Sequence, residues 1–326
     1  MGARGRRLPR LRRVPAQDRP GDPGRPDRAE ALSGRAEALS GRAEALSGRA
    51  GALSGDGPVV VVTGASDGIG AAAARRLHRG GARVVLVGRS PEKTAAVAAD
   101  LPGAWSHTVD LARLDDVRRL AAELTELPRI DVLVHNAGAS FARRELTVDG
   151  HERTFQVDHL APYLLTRLLE EPLRAAGARV VTTSSFMHWA GGARRGHLID
   201  NTGPYLATRA YARAKWCNVL LTRELARRWA PEVTATCFDP GAVATSFGAA
   251  SGGVTGLAFR TPLTAFMRTP AQGADTLVWL ATAEEGWRNG RHHADRSPTW
   301  TAPSARDDVR ARELWEVSAR LVGLPG

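Results

Sequence analysis

Tyr211 and Lys215 are the pair in this chain whose types and spacing point most directly to chemistry. Residues four apart share one face of a helix, so a phenol and an ammonium can reach the same place. A neighbouring cation favours phenolate and lowers a tyrosine pKa from its reference of about 10. Such a phenol can give a proton to a carbonyl oxygen, or take one from an alcohol, near neutral pH. The same spacing is also common on ordinary helix surface. Only Lys93 and Lys215 are lysines, however, in a chain whose other permanent side-chain cations are all Arg. Tyr205 offers a rival pair with Arg209, whose fixed charge and wide fork suit the task less well.

A second chemistry is written in Thr63-Gly64-Ala65-Ser66-Asp67-Gly68-Ile69-Gly70, which follows an apolar run and precedes a helical stretch. Glycines there let the backbone turn tightly and approach a pyrophosphate, while the helix N-terminus supplies amides and a favourable dipole. An ordinary turn is the alternative, but the position between buried strand and helix favours a nucleotide. The next apolar run ends Val87-Gly88-Arg89-Ser90. An acid at that strand end would accept the ribose hydroxyls of NAD, whereas Arg89 offers a cation for the 2′-phosphate of NADP. A solvated Arg in an Arg-rich chain is the competing explanation.

These residues need elements to position them. Apolar runs at Val59–Thr63, Ala82–Val87, Ser106–Val109, Asp131–His135, Arg179–Thr183 and Val233–Phe238 read as strands. Helical stretches are expected at 70–79, 91–101, 114–124, 152–175 and 208–229. Continuous β-branched strands alternating with helices predict an α/β fold, a doubly wound parallel sheet of Rossmann type. Its ligands belong at the carboxyl ends of the strands.

Residues 58–326 form the expected single domain. Residues 1–57 differ in kind: Arg28-Ala-Glu-Ala-Leu-Ser-Gly recurs from Arg35 and Arg42 and, altered, from Arg49. One Leu per seven residues is too thin a stripe for a coiled coil, and each repeat carries a Gly. A disordered tail is expected, or a translated upstream region. It holds 12 Arg against 7 Asp and Glu, within a net charge of +11 for the chain. The arginines are scattered without interleaved aromatics, which argues against a nucleic-acid partner. Two cysteines, Cys217 and Cys237, are too few for a disulfide scaffold or zinc site. No run approaches the roughly 18 apolar residues of a membrane span, so a cytoplasmic protein without an anchor is expected.

Together the glycines at 64, 68 and 70, Asn136-Ala137-Gly138, Ser184-Ser185, Tyr211 with Lys215, and Pro240-Gly241 resemble the short-chain dehydrogenase/reductase family. The resemblance runs from Pro58 to the C-terminus, about four-fifths of the chain. It implies a nicotinamide cofactor held by Gly64, Ser66, Gly68, Ile69 and Gly70, with Asp110 at the adenine. A helix N-cap is the rival role for Asp110. Asn136, Ala137 and Gly138 would line the cleft, and Pro240, Gly241, Val243 and Thr245 would meet the nicotinamide side, with Tyr211 and Lys215 also touching the cofactor. The resemblance gives Ser185, with Ser184 as runner-up, the hydrogen bond to the substrate oxygen. It places Asp158 where the family has a catalytic Asn that helps hold a water on the proton path to the lysine. The negative charge at Asp158 would favour the charged Lys and disfavour phenolate, moving the pH optimum upward.

Within the family, Leu146–Glu152, Thr222–Arg228 and Glu313–Ser318 look closest to the retinol dehydrogenase-like branch. The last passage implies a C-terminal helix, and 290–294 a final strand. The expected function is NADP(H)-dependent interconversion of an alcohol and a ketone or aldehyde, with NAD(H) possible and a small lipophilic substrate. Residues 246–268, with Phe247, Leu257, Phe259 and Phe266, suit a lid, or else ordinary packing. A homodimer through the Tyr211 helix and the one before it is a further expectation. A cofactor-sensing protein of the same fold is the alternative, and Asp158 is the one feature that fits it.

Overall fold

The computed structural model describes residues 56–194, 198, 204–243 and 267–326. The expected tail lies outside them except for Asp56 and Gly57. Thr245 lies outside them too, as does the expected lid apart from Met267 and Arg268.

The described chain alternates as the apolar runs require. Strand β1 (Val59–Thr63) leads through the glycine loop to α1 (Gly68–Arg79), then β2 (Arg83–Gly88), α2 (Pro91–Ala99), β3 (Trp105–Thr108), α3 (Leu114–Leu124) and β4 (Val132–His135). There follow α4 (Ala161–Leu168), α5 (Glu170–Ala176), β5 (Arg179–Thr183), α6 (Ala207–Trp229) and β6 (Thr234–Phe238). The chain ends with α7 (Asp275–Thr282), β7 (His292–Ala294), β8 (Ser297–Pro298) and α8 (Asp308–Leu321). The sheet order is β3-β2-β1-β4-β5-β6-β7-β8. Every neighbouring pair is parallel except β7 with β8. Strand order therefore reverses between β1 and β4, which opens a crevice at their carboxyl ends.

Successive strand residues point to opposite faces, and both faces are buried. Val59, Val61, Val85, Val87 and Leu133 pack with α3, α4, α6 and α8. Val60, Val62, Val84, Leu86 and Val134 pack with α1, α2 and α7. This two-sided burial is why the strands read as unbroken apolar runs.

The single helix expected over residues 152–175 is broken. A turn at Arg153–Phe155 passes into a π-helical turn at Gln156–Leu160 before α4 begins. Pro162 supplies the cause: it has no N–H for the Asp158 carbonyl, and its ring crowds that carbonyl. The Ala161 amide bonds instead to the Gln156 carbonyl, five residues back. The widened turn carries Asp158 into the interior, where it is 1% exposed.

Candidate active site

The crevice is a cleft of about 1030 Å³ that runs from Arg89 and Asp110 at one end to Ser185 and Tyr211 at the other. Its floor at the first end is backbone. Gly64 and Gly68 have φ of +67° and +53°, which side chains rarely adopt. A Cβ at Gly64 would stand 2.7 Å from Ala137 Cα, and one at Gly70 would stand 2.2 Å from the Gly64 carbonyl oxygen. Asp67 caps α1 by accepting from Gly68 N at 2.7 Å. The result is a helix N-terminus lined by glycine backbone and facing the cleft, a shape that fits a dinucleotide's pyrophosphate.

Asn136 braces that loop, with Nδ2 donating to the carbonyls of Thr63 at 3.0 Å and Gly64 at 3.3 Å. Thr63, named at the head of the loop without a role of its own, ties the two strand ends together. Its Oγ1 donates to the Val134 carbonyl and accepts from the amides of Asn136 and Ala137. Ser66, Arg89, Ser90 and Lys93 line one end of the cleft. Arg89 is exposed there, and Lys93 pairs with Asp67 at 3.2 Å. Asp110 also lines the cleft, accepting from Ala112 N at 3.0 Å. It does not cap α3: Asp149, from a distant turn, accepts from Leu114 N at 2.9 Å.

At the other end, β5 delivers Ser184 and Ser185, and the structure separates them. Ser184 is fully buried with Oγ donating to the Lys215 carbonyl at 3.1 Å, whereas Ser185 lines the cleft. His188 holds the Ser185 backbone in place. Its Nδ1 donates to the Ser185 carbonyl at 2.7 Å, so Nε2 is the unprotonated nitrogen that accepts from Ala302 N. Burial keeps this imidazole's pKa below its ordinary value.

Tyr211 and Lys215 lie on successive turns of α6, with Nζ 5.2 Å from the phenol ring centre. Behind them Asp158 Oδ2 stands 2.9 Å from Nζ, and both side chains are buried. Burial pushes the Tyr211 pKa up; Lys215 opposes that rise, Asp158 adds to it, and a hydrogen bond with Ser185 opposes it. Burial alone would lower the Lys215 pKa, but Asp158 and Tyr211 outweigh it and raise it. A phenol, a hydroxyl and an ammonium so arranged can exchange a proton with one oxygen in the cleft. Phe141, Val157, Phe186 and Met187 give this end an apolar lining.

Pro240, Gly241 and Val243 close the cleft beside β6. Gly241 has φ of +77°, and Val243 is buried against Gly273.

A sequence model of the family described as short chain dehydrogenase matches residues 58–252. The chain belongs to that family. It is 42% identical over 274 residues to a Streptomyces sp. (strain C5) protein named "Putative daunorubicin C-13 ketoreductase DnrU", covering 82% of this chain and 93% of that one. Human retinol dehydrogenase 13 is 37% identical over 283 residues, covering 82% and 85% respectively. Among solved structures, an uncharacterised protein of Mycobacterium paratuberculosis superposes with a TM-score of 0.67 at 30% identity, covering 82% of this chain and 94% of its own. A structure described as a short chain dehydrogenase of Shigella flexneri complexed with NADP gives 0.57 at 27% identity, covering 72% and 95%. The chain is therefore an oxidoreductase of the short-chain type, with retinol dehydrogenases among its relatives. No helix among the described residues is long and apolar enough to cross a membrane.

Proposed function

We propose that this chain is an NADP(H)-dependent oxidoreductase that interconverts an alcohol and a ketone or aldehyde, with Tyr211 as general acid and base. The observation that carries the proposal is Tyr211, with Lys215 behind it and Ser185 beside it, at one end of a cleft whose other end is a glycine-lined helix N-terminus. Bound NADP(H) supplies or accepts the hydride at the substrate carbon. Gly64, Ser66, Gly68, Ile69 and Gly70 would hold its pyrophosphate side, and Asp110 and the Asn136–Gly138 segment its adenosine and ribose sides. Pro240, Gly241 and Val243 would hold the nicotinamide side, together with Thr245 beyond the described residues.

In reduction, Ser185 Oγ and the Tyr211 hydroxyl both hydrogen-bond the carbonyl oxygen. Tyr211 gives its proton to that oxygen as hydride reaches carbon, and the Lys215 ammonium stabilises the phenolate left behind. Oxidation reverses each transfer. Arg89 and Lys93, with no acid at the end of β2, favour the extra phosphate of NADP. The apolar lining suits a lipophilic substrate. The ketoreductase and retinol dehydrogenase names of the relatives agree with a carbonyl–alcohol pair.

Titrating NADPH and NADH, then assaying a carbonyl panel with wild type and Tyr211→Phe, tests this. The expected result is tighter NADPH binding, and a turnover that falls about 10²–10⁴-fold in Tyr211→Phe with binding kept. Cofactor binding without turnover would favour a nucleotide-sensing protein, a reading to which the Asp158–Lys215 pair lends support. No binding of either nucleotide overturns the proposal.

A further inference from the structure

Asp158 and Lys215 are held together from three directions. The π-helical turn supplies the carboxylate, and α6 supplies the ammonium at 2.9 Å. The segment after β4 supplies the Ala139 amide, which donates to Asp158 Oδ1 at 2.7 Å. A Cβ on Gly138 would stand 3.1 Å from Nζ and 3.2 Å from Oδ2, so the backbone passes the pair where only a glycine sits without displacing it. Side-chain exposure is 2% for Lys215 and 0% for Asp158. An ammonium buried alone shifts toward its neutral form, and a carboxylate in contact reverses that shift.

We infer that Asp158 is a positioning residue that keeps Lys215 charged and anchors its ammonium, so that the Tyr211–Lys215–Asp158 cluster releases its proton at higher pH than a tyrosine–lysine pair would alone. The kinetic consequence rests on the proposed role of Tyr211; the state of Lys215 does not.

Charged and hydrogen-bonding groups among the described residues are set against the cluster. Asp158 meets Lys215 and, farther off, Glu152; Lys215 meets Asp158 and Tyr211; Tyr211 meets Lys215, Asp158, Ser185 and Asp239. Replacing Asp158 with Asn removes a charge that favours ammonium and disfavours phenolate. Whichever of Tyr211 and Lys215 then loses the shared proton, the pair loses it at lower pH.

The composition makes this measurable. With two lysines in the chain, ¹³Cε-lysine labelling of the cofactor-free protein gives two side-chain signals, and Lys93→Arg assigns them. The Lys215 midpoint is expected to fall by about one pH unit or more in Asp158→Asn. The acid limb of alcohol oxidation, where activity rises as Tyr211 loses its proton, should move in the same direction. An unchanged Lys215 midpoint in a variant that melts like wild type overturns the inference. If Asp158→Asn does not fold, wild type alone decides: a Lys215 signal already neutral at pH 8 overturns it, and a charged one sustains it. Absence of turnover in wild type would sink the oxidoreductase reading while leaving the lysine titration intact.

Discussion

Tyr205 and Tyr211 lie on either side of the start of α6, and the fold gives the same phenol two different settings. Tyr211 sits inside the helix, so Lys215 comes within reach one turn later, 5.2 Å from the ring centre. Tyr205 precedes the first helical residue, Ala207, and the four-residue rule does not apply to it. Arg209, four residues on, is exposed, and the Tyr205 hydroxyl lies 3.0 Å from the Phe141 carbonyl and 3.2 Å from Glu152 Oε1. Burial pushes the Tyr205 pKa up to about 12, the Thr154 hydrogen bond opposes this, and the Glu152 charge adds to it. Arg144, 5.8 Å from the ring, opposes it least. Both phenols are raised by burial, but only Tyr211 has a lysine ammonium beside it. Where the helix starts, rather than the four-residue spacing itself, decides which phenol has a charged neighbour one turn on.

The largest expected effect breaks that comparison outright. Tyr211→Phe should lower turnover about 10²–10⁴-fold, whereas Tyr205→Phe should leave kcat within a few-fold. Equal losses in the two variants would show that the Lys215 neighbour is not what distinguishes them.

Next comes stability. Lys215→Met strands the buried Asp158 carboxylate, and breaking such a pair from one side costs about 3–5 kcal/mol. Adding Asp158→Asn removes the stranded charge and should restore much of the loss. Urea denaturation of wild type, both singles and the double checks this. A Lys215→Met variant no less stable than a surface mutant would mean that the pair is not charged in the folded protein.

The fold was largely legible because two-sided burial leaves its mark on the residues themselves. Val59–Thr63 and Arg179–Thr183 have the expected bounds because each apolar run is also a strand, and Leu114–Leu124 because its apolar residues recur at helical spacing. The glycine loop was legible in its shape for the same reason: its own residues set the turn between strand and helix. What was not legible depends on partners far away in sequence. Ser184 and Ser185 are equal as residue types, so the preference for Ser185 rested on the family resemblance; in the structure the Lys215 carbonyl, brought in by α6, holds Ser184. Asp158 could be seen as an odd residue, but its direct contact with an ammonium 57 residues later could not. The π-helical turn that delivers it did leave a sign, Pro162, whose cost falls on the carbonyl of Asp158 itself. Asp149 took the cap of α3 from 35 residues away, a distance at which spacing rules are silent.

The smallest expected effect sharpens the comparison. Tyr205 joins the Phe141 carbonyl to Glu152, which accepts from the amides of Thr154 and Phe155 at the turn leading to Asp158. Phe141 lines the cleft and stacks under Arg153, whose Cζ stands 4.3 Å from the ring centre. Tyr205→Phe therefore removes a fastening of the substrate wall without touching Tyr211, Lys215 or Ser185. The hydroxyl is half-buried, so its loss should cost about 1 kcal/mol of stability. The freed Phe141 segment should raise KM severalfold while kcat holds, because weaker binding shared by ground and transition states appears in KM alone. Glu152→Gln keeps a cap oxygen and removes the charge, so it should lower the Tyr205 pKa with little change in KM. A kcat loss in Tyr205→Phe as large as the KM rise would place Tyr205 in the proton path and erase the distinction between the two tyrosines.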